Sequence, residues 1–142
     1  MSEKDHPETE IVQKTLRRPI PIAGIGPTTG QAVSLVIRPA RPNTGIMFIR
    51  RDAPPGEGMI ETLWYDLAQP AAPNVITNKY GFSVGGIQPL VSLLRGFGID
   101  NAVVEMDGPE CPVTSDSARD ILHVLEDAGT KLQKPWNVDR EN

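Results

Sequence analysis

Polar and apolar residues alternate between positions 32 and 38, where Val33, Leu35 and Ile37 share one face of the chain. A period of two predicts a strand that is buried on one side only. The next apolar run, 46–51, is typical of a second strand, and the residues between the two runs are rich in Pro, Asn and Gly, which favours a turn. We therefore expect the two strands to pair as a hairpin with a wide loop.

Four other segments are expected to be extended. Prolines at positions 19 and 21 precede Ile20, Ile22 and Ala23, and because proline cannot donate to a sheet, this segment fits an edge strand or a loop. Residues 62–67 and 102–106 are short apolar runs that are typical of strands. Residues 75–82 are expected to form a short hairpin that turns at Asn78-Lys79.

Two segments have the 3.6-residue period of helices. The first runs from about residue 86 to residue 95 and has Pro89 in its first turn, where the missing N–H costs little. The second begins at Ser117, where a Ser followed three residues later by Asp has the form of a capping box, and Gly129 is expected to end it. The expected buried positions are Ile87, Leu90, Val91 and Leu94 in the first helix and Ile121, Leu122, Leu125 and Ala128 in the second.

Strands come first along the chain, followed by a helix, a strand and a helix. This order predicts an α+β fold, a two-layer sandwich in which a mostly antiparallel sheet is covered on one face by two helices. Residues 11–132 are expected to form this single domain. Residues 1–10 are mostly charged or His and are expected to be a disordered tail, and residues 133–142 a polar tail with Trp136 as its anchor.

The overall charge narrows the range of partners. The 142-residue chain has a formal net charge of −4 and a pI near 5.1, which argues against nucleic acid because phosphate binding needs clustered Lys and Arg. A single cysteine excludes an internal disulfide and fits a reducing compartment. The N-terminus has no signal-peptide core, and no apolar run approaches the roughly 20 residues that span a bilayer. We expect a cytoplasmic protein without a membrane span.

A glycine-rich stretch raises the question of phosphate binding: Gly24-Ile25-Gly26-Pro27-Thr28-Thr29-Gly30. A phosphate loop needs a following helix whose N-terminal N–H groups face the phosphate. The residues that follow here alternate as a strand instead. We interpret the stretch as a bend between two strands.

Neither a metal site nor a nucleophile is indicated. A zinc site needs several His, Cys, Asp or Glu groups on converging elements, and the only histidines are His6 in the expected tail and His123 on the second helix. We expect no metal and no other cofactor. A nucleophilic Cys111 would need a base, for which only His123 is available, so a small buried side chain is the favoured interpretation.

Several short motifs occur in an order and spacing that resemble one protein family. They are Thr15-Leu16, the glycine bend, Arg38-Pro39-Ala40, Asn43-Thr44-Gly45-Ile46, Arg50-Arg51-Asp52, Gly96-x-Gly98-Ile99-Asp100-Asn101, Pro109-Glu110-x-Pro112, Ser117-Ala118 and Leu125-x-Asp127-Ala128-Gly129. Together they resemble the N-terminal domain of the zinc deacetylase that acts on UDP-3-O-acyl-N-acetylglucosamine in the lipid A synthesis of Gram-negative bacteria. The resemblance implies the same α+β sandwich.

The positions at which that family keeps active-site groups hold other residues here. The resemblance puts the general-base glutamate at Gln88, a zinc-binding histidine at Pro89 and the histidine of the bend at Thr28. Glutamine cannot accept a proton as a base, and proline has no ligand atom. The sequence also has no counterpart of the family's second half, so the resemblance leads us to expect a non-catalytic relative without catalytic residues.

A non-catalytic relative would act by binding. In the family, two similar domains bury their helix layers against each other, so the resemblance implies apolar helix surface that needs a partner here. Leu93 lies beside the row of apolar residues on the buried face of the first helix. In the second helix, Val124, next to His123, widens the corresponding apolar face. These three residues form the expected interaction surface. The expected occupant is another protein, for example the full-length deacetylase, or a second copy of the chain.

Three functions are compatible with this sequence. The first is a catalytically inactive homologue that regulates lipid A synthesis by protein binding. The second is a partial or diverged deacetylase that another chain completes, and metal analysis separates it from the first. The third is a sensor of a UDP-sugar lipid precursor, which predicts a thermal shift with such ligands.

Overall fold

The computed structural model describes residues 12–62 and 74–134 of the chain. These residues form nine strands and two helices. In chain order they are β1 (Gln13–Leu16), β2 (Ile20–Ile25), β3 (Ala32–Pro39), β4 (Ile46–Arg50), β5 (Met59–Ile60), β6 (Val75–Thr77), β7 (Ser83–Gly85), α1 (Gln88–Gly96), β8 (Ala102–Met106), α2 (Ala118–Ala128) and β9 (Thr130–Gln133).

The main sheet has five strands in the order β2-β3-β8-β4-β5. All neighbouring pairs are antiparallel except β4 and β8, which run parallel with Ile46 opposite Ala102. The predicted hairpin between residues 32–38 and 46–51 is therefore wrong, because β8 lies between these two strands. The physical reason is burial. The residues of β8 alternate between buried and half-buried, and a strand in the centre of the sheet is covered by a neighbouring strand on each edge.

Most other predicted strands are confirmed. Strand β2 lies at the edge of the sheet, as its prolines require, and Val33, Leu35 and Ile37 are buried along β3. The hairpin at 75–82 is present as β6 and β7, although its turn extends to Phe82, where the Asn78 side chain accepts the backbone N–H groups of Tyr80 and Phe82. Thr62 lies outside any strand, and the rest of the predicted strand at 62–67 falls outside the described residues.

Both predicted helices are present, with one correction at the start of α2. Leu90, Val91 and Leu94 are buried in α1, and in α2 Ile121, Leu125 and Ala128 are buried while Leu122 is only half-buried. The predicted capping box is wrong, because the Ser117 hydroxyl bonds Thr114 and caps no N–H of α2. Gly129 ends α2 with a φ of +81°, a conformation that glycine adopts without strain.

The sheet and helices share one hydrophobic core. Buried side chains of β2, β3, β4, β5 and β8 pack with those of both helices in a single cluster. The mixed sheet with its two helices has the α+β sandwich architecture that the sequence predicts. Neither described helix has the length and apolar character needed to cross a bilayer. The predicted tail of residues 1–10 and the Trp136 anchor lie outside the described residues.

A two-stranded ribbon of β1 and β9 stands beside the main sheet. The sequence predicts no strand at 130–133, where polar residues dominate, yet β9 pairs antiparallel with β1 along its whole length. A bridge between Thr15 and Asn101 joins the ribbon to the start of β8. The ribbon thus brings residues from the beginning and the end of the described chain next to each other.

Candidate functional site

The glycine-rich bend connects β2 to β3. The N–H of Gly26 donates to the carbonyl of Gln31 at 2.8 Å, and the N–H of Gly30 donates to the carbonyl of Gly26 at 2.9 Å. Gly30 has a φ of +73°, which favours glycine at this turn. Because a strand and not a helix follows the bend, it lacks the geometry of a phosphate loop.

A buried carboxylate holds the bend in place. Glu110 is 6% exposed, and its carboxylate accepts the backbone N–H of Thr28 at 3.0 Å and that of Thr29 at 2.8 Å. A Cβ on Gly26 would lie 2.5 Å from the Glu110 Oε1, so glycine makes room for the carboxylate. The stem of Glu110 also reaches Gly86, where a Cβ would lie 3.4 Å from its Cγ. Glu110 therefore joins the bend to the residues that lead into α1.

The sequence did not predict the role of Glu110 in this site. Burial opposes its ionisation, but the hydrogen bonds from Thr29 and Thr28 outweigh that effect and lower the pKa of Glu110 below its ordinary value. Glu110 thus carries its charge at neutral pH, and its carboxylate accepts hydrogen bonds from the backbone of the bend. The available signal was a single acid within the otherwise apolar run 109–113.

The first turn of α1 is capped by a residue distant in sequence. Ile87 precedes the helix and offers no capping side chain, whereas the Asn74 side chain accepts the N–H of Gln88 at 2.8 Å. The Asn74 carbonyl also accepts the N–H of Ile87 at 3.3 Å. Pro89 lacks an N–H and so leaves one fewer group to satisfy in this turn. The start of α1 is therefore held on the segment that leads into β6.

An open groove of about 500 Å³ lies between this first turn and the segment before α2. Its described lining combines an amide, two hydroxyls and apolar groups, and it includes no carboxylate, imidazole or thiolate. The lining residues are Gln88, Pro89, Ser92, Leu93, Ser115 and Ala118. The groove brings together two of the three positions that the resemblance assigns to family active-site groups, Gln88 and Pro89, and one residue of the expected interaction surface, Leu93. Thr28 is linked to the same region through Glu110.

The groove residues do not fit a zinc ion. Zinc in proteins is bound by thiolate, imidazole or carboxylate groups, and Gln88, Pro89 and Ser115 supply none of these. Within residues 12–62 and 74–134, no three His, Cys, Asp or Glu side chains cluster in a way that could hold a metal ion.

The other expected interaction residues lie on the exposed side of α2. Val124 is 46% exposed, and His123 is exposed and faces Glu126 at 3.5 Å between Nδ1 and Oε1. Neither residue lines the groove, whereas Leu93 does and also packs partly against the core. The three residues therefore do not form one continuous pocket.

Cys111 is a buried structural residue, as expected. Its side chain is 0% exposed, and burial, with a smaller effect of the neighbouring Glu110 charge, raises the pKa of the thiol to about 12. A thiol with that pKa is almost entirely protonated at neutral pH and is a poor nucleophile.

These features occur in a chain whose family is shown by comparison with known proteins. The described fold is an α+β sandwich, and residues 13–138 match the family model for LpxC, the UDP-3-O-acyl N-acetylglycosamine deacetylase. The chain belongs to this family. No described residue at the first turn of α1 repeats the ligand types that the resemblance assigns there.

The relatives identify what the chain is similar to. It is 35% identical over 132 residues to the UDP-3-O-acyl-N-acetylglucosamine deacetylase of Haemophilus influenzae (strain PittEE), with 87% of this chain and 40% of the relative covered. It is 36% identical over 124 residues to that of Phenylobacterium zucineum (strain HLK1), which covers 87% of this chain and 42% of the relative. The chain thus spans about 40% of the length of the curated relatives it matches.

Proposed function

We propose that this chain is a non-catalytic member of the LpxC family that works by binding another protein through its helix layer, and that it thereby regulates lipid A synthesis. The observation that carries the proposal is the groove at the start of α1, where Gln88 and Pro89 stand at the positions that the resemblance assigns to a general base and a zinc ligand.

The chemistry of the groove supports binding rather than hydrolysis. A general base must accept a proton, and the amide of Gln88 does so at no physiological pH. A zinc-activated water needs protein ligands that hold the metal, and Pro89 has no donor atom on its side chain. The resemblance also aligns the family's Met-Asp-Gly-Ser-Ala turn with residues 114–118 of this chain, which puts Ser115 at the position of the Asp. A serine hydroxyl is a poor substitute for a carboxylate.

The same surface offers groups that suit a protein partner. Pro89 and Leu93 provide apolar contact area in the groove, and the flanking hydroxyls of Ser92 and Ser115 can pair with polar groups at its rim. Val124 adds a large exposed apolar side chain on α2. A mixed lining without described charges favours a neutral, partly apolar partner surface over a charged ligand.

Zinc binding and hydrolysis together test the catalytic part of this proposal. Calorimetric titration of the purified chain with zinc should give no site of one ion per chain, and UDP-3-O-acyl-N-acetylglucosamine should not be deacetylated above the rate in buffer. The variant His123→Ala controls for weak metal binding by the exposed imidazole. Stoichiometric zinc binding that survives in His123→Ala, together with deacetylation, would contradict the proposal and favour a diverged deacetylase.

A further inference from the structure

The ribbon of β1 and β9 carries an exposed patch that the proposed function does not use. The register pairs Lys14 with Leu132, so their side chains share one face of the ribbon. Alternation along the two strands puts the flanking residues Val12 and Lys134 on the same face. Leu132 is 64% exposed and Val12 is 39% exposed. We call Val12, Lys14, Leu132 and Lys134 the ribbon patch.

The ribbon is strongly basic in a chain that is acidic overall. Residues 12–18 and 130–134 contain no Asp or Glu, and their Lys and Arg residues are Lys14, Arg17, Arg18, Lys131 and Lys134. Of these, Arg18 pairs with Asp127 at 2.9 Å. Asp100 lies next to the ribbon, but its carboxylate accepts the backbone N–H of Lys14 and does not pair with the ammonium.

The three lysines of the ribbon have their charges available. No carboxylate within residues 12–62 and 74–134 forms an ion pair with Lys14, Lys131 or Lys134. The Lys14 side chain extends over Gly98, where a Cβ would lie 3.6 Å from both its Cδ and its Nζ, so the ammonium is held beside the loop that follows α1. Positive charge and exposed apolar groups therefore meet on one surface.

We propose that the ribbon patch binds the anionic surface of a phospholipid membrane, on which the domain lies without crossing it. The lysines would contact the headgroup phosphates, while Leu132 and Val12 enter the boundary between headgroups and acyl chains. A nucleic acid or an acidic peptide would satisfy the charges but would leave the two exposed aliphatic side chains without a counterpart. The combination of cations and aliphatic groups on one face favours the membrane.

Binding is expected to be weak and sensitive to salt. Residues 1–11, which precede the patch in sequence, contain four acidic residues and one Lys, and their charge opposes attraction to an anionic surface. The test therefore uses the full chain. It measures cosedimentation with vesicles of phosphatidylglycerol and phosphatidylcholine, at ionic strengths of about 0.01 M and about 1 M, between which the screening length falls from roughly 30 Å to 3 Å. Vesicles of phosphatidylcholine alone are the neutral control.

The expected result is binding to the phosphatidylglycerol vesicles at low salt, with little binding at high salt or to neutral vesicles. Each cation near such a surface contributes about fivefold, so Lys14→Gln with Lys134→Gln should weaken binding about twenty-five-fold. Leu132→Ser should weaken it about tenfold through lost apolar burial. Lys134→Gln alone, at an exposed position of the patch, serves as a second variant if changes at Lys14 impair folding, and it should weaken binding about fivefold. Lys131→Gln removes the same charge from the opposite face of the ribbon, where Lys131 pairs with Thr15, and should weaken binding less.

The matched control is Lys79→Gln with Arg119→Gln, which removes the same charge from exposed positions outside the ribbon. Equal weakening by this control would overturn the proposal, because it would mean that net charge and not the patch governs binding. No binding to phosphatidylglycerol vesicles at low salt would also overturn it. Capture of the chain by polyglutamate without vesicle binding would replace the membrane by an acidic protein partner.

Discussion

The side chain of Asn101 accepts the backbone N–H of Gly45 at 2.9 Å and so fastens the start of β4 to the start of β8. The amide group of Asn101 also donates to the side chains of Gln13 at 2.7 Å and Gln133 at 2.9 Å, one on each strand of the ribbon. Asn101 is 1% exposed. One buried amide thus joins the ribbon, the parallel strand pair and the loop before β4.

Removal of this amide should destabilise the fold. Asn101→Ala removes the acceptor of the Gly45 N–H and one hydrogen bond to each of the two glutamine side chains, and we expect a loss of about 3 kcal/mol in the free energy of unfolding. Urea unfolding followed by circular dichroism measures the loss. Gln31→Ala, which removes an exposed amide, should change stability little. A loss at Asn101 no greater than at Gln31 would show that the network is not a stabilising element.

The contribution of Glu110 to the stability of the fold should depend on pH. Burial raises the pKa of Glu110, but the N–H groups of Thr29 and Thr28 lower it more, so the folded-state pKa lies below the ordinary 4.5. Its stabilising contribution is therefore present above about pH 4.5 and is lost as the pH falls through the folded-state pKa. Glu110→Gln keeps the shape but removes the charge.

We expect Glu110→Gln to cost about 2 kcal/mol at pH 7, since hydrogen bonds to a charged acceptor are lost. The difference from the wild type should shrink below pH 4.5, where the wild-type carboxyl becomes protonated and resembles the amide. Urea unfolding at a series of pH values measures it, with the exposed Glu61→Gln as control. A difference that stays constant down to acid pH would contradict the assigned charge.

Two glycines of this chain should respond to alanine in opposite ways. A Cβ on Gly26 would lie 2.5 Å from the Glu110 Oε1 and 2.6 Å from the Thr29 Oγ1, so Gly26→Ala must displace the carboxylate and should cost about 2 kcal/mol. A Cβ on Gly96, at the end of α1, meets nothing within 4 Å, so Gly96→Ala should be neutral or slightly stabilising. Thermal unfolding of the two variants, side by side, checks the contrast, and equal effects would contradict it.

The Cys111 thiol should be inert in the folded chain. Its burial and its pKa of about 12 leave almost no accessible thiolate at pH 8. A thiol-specific chromogenic reagent should therefore label the native chain only as fast as it unfolds, and should label it at once in concentrated urea. Rapid labelling of the native chain would mean that the 109–113 segment opens readily.

The local elements of this fold were predictable from the sequence, and the pairing of its strands was not. Periodicity of two or 3.6 residues identifies β3, α1 and α2, because it reports which side of an element is buried. It does not report the neighbour of a strand. The placement of β8 between β3 and β4 depends on contacts such as that of Asn101 with Gly45, across 56 positions of sequence.

The site shows the same limit. The assignment of Thr28, Gln88 and Pro89 to the family's site positions stays a prediction from the resemblance, because it uses only the order of residues along the chain. The role of Glu110 could not be predicted in this way, since its partners Thr28 and Thr29 lie more than 80 positions away in sequence. The Asn74 cap on α1 was missed because it lies 14 positions before Gln88 and not at the N-cap position of the helix. The capping box predicted at Ser117 is absent because the Ser117 hydroxyl donates to the carbonyl of Thr114 and does not accept an N–H of α2.

Light scattering can detect the proposed binding of a protein through the helix layer. The molar mass of the chain is measured at micromolar concentration, alone and mixed with a full-length UDP-3-O-acyl-N-acetylglucosamine deacetylase. Val124→Asp puts a charge on the exposed side of α2, and Leu132→Asp puts the same charge on the ribbon. We expect either a dimer of the 15.5 kDa chain or, in the mixture, a species heavier than the deacetylase alone, and this species should be lost in Val124→Asp and kept in Leu132→Asp. A chain that stays at 15.5 kDa alone, and that leaves the molar mass of the deacetylase unchanged in the mixture, would contradict protein binding through the helix layer.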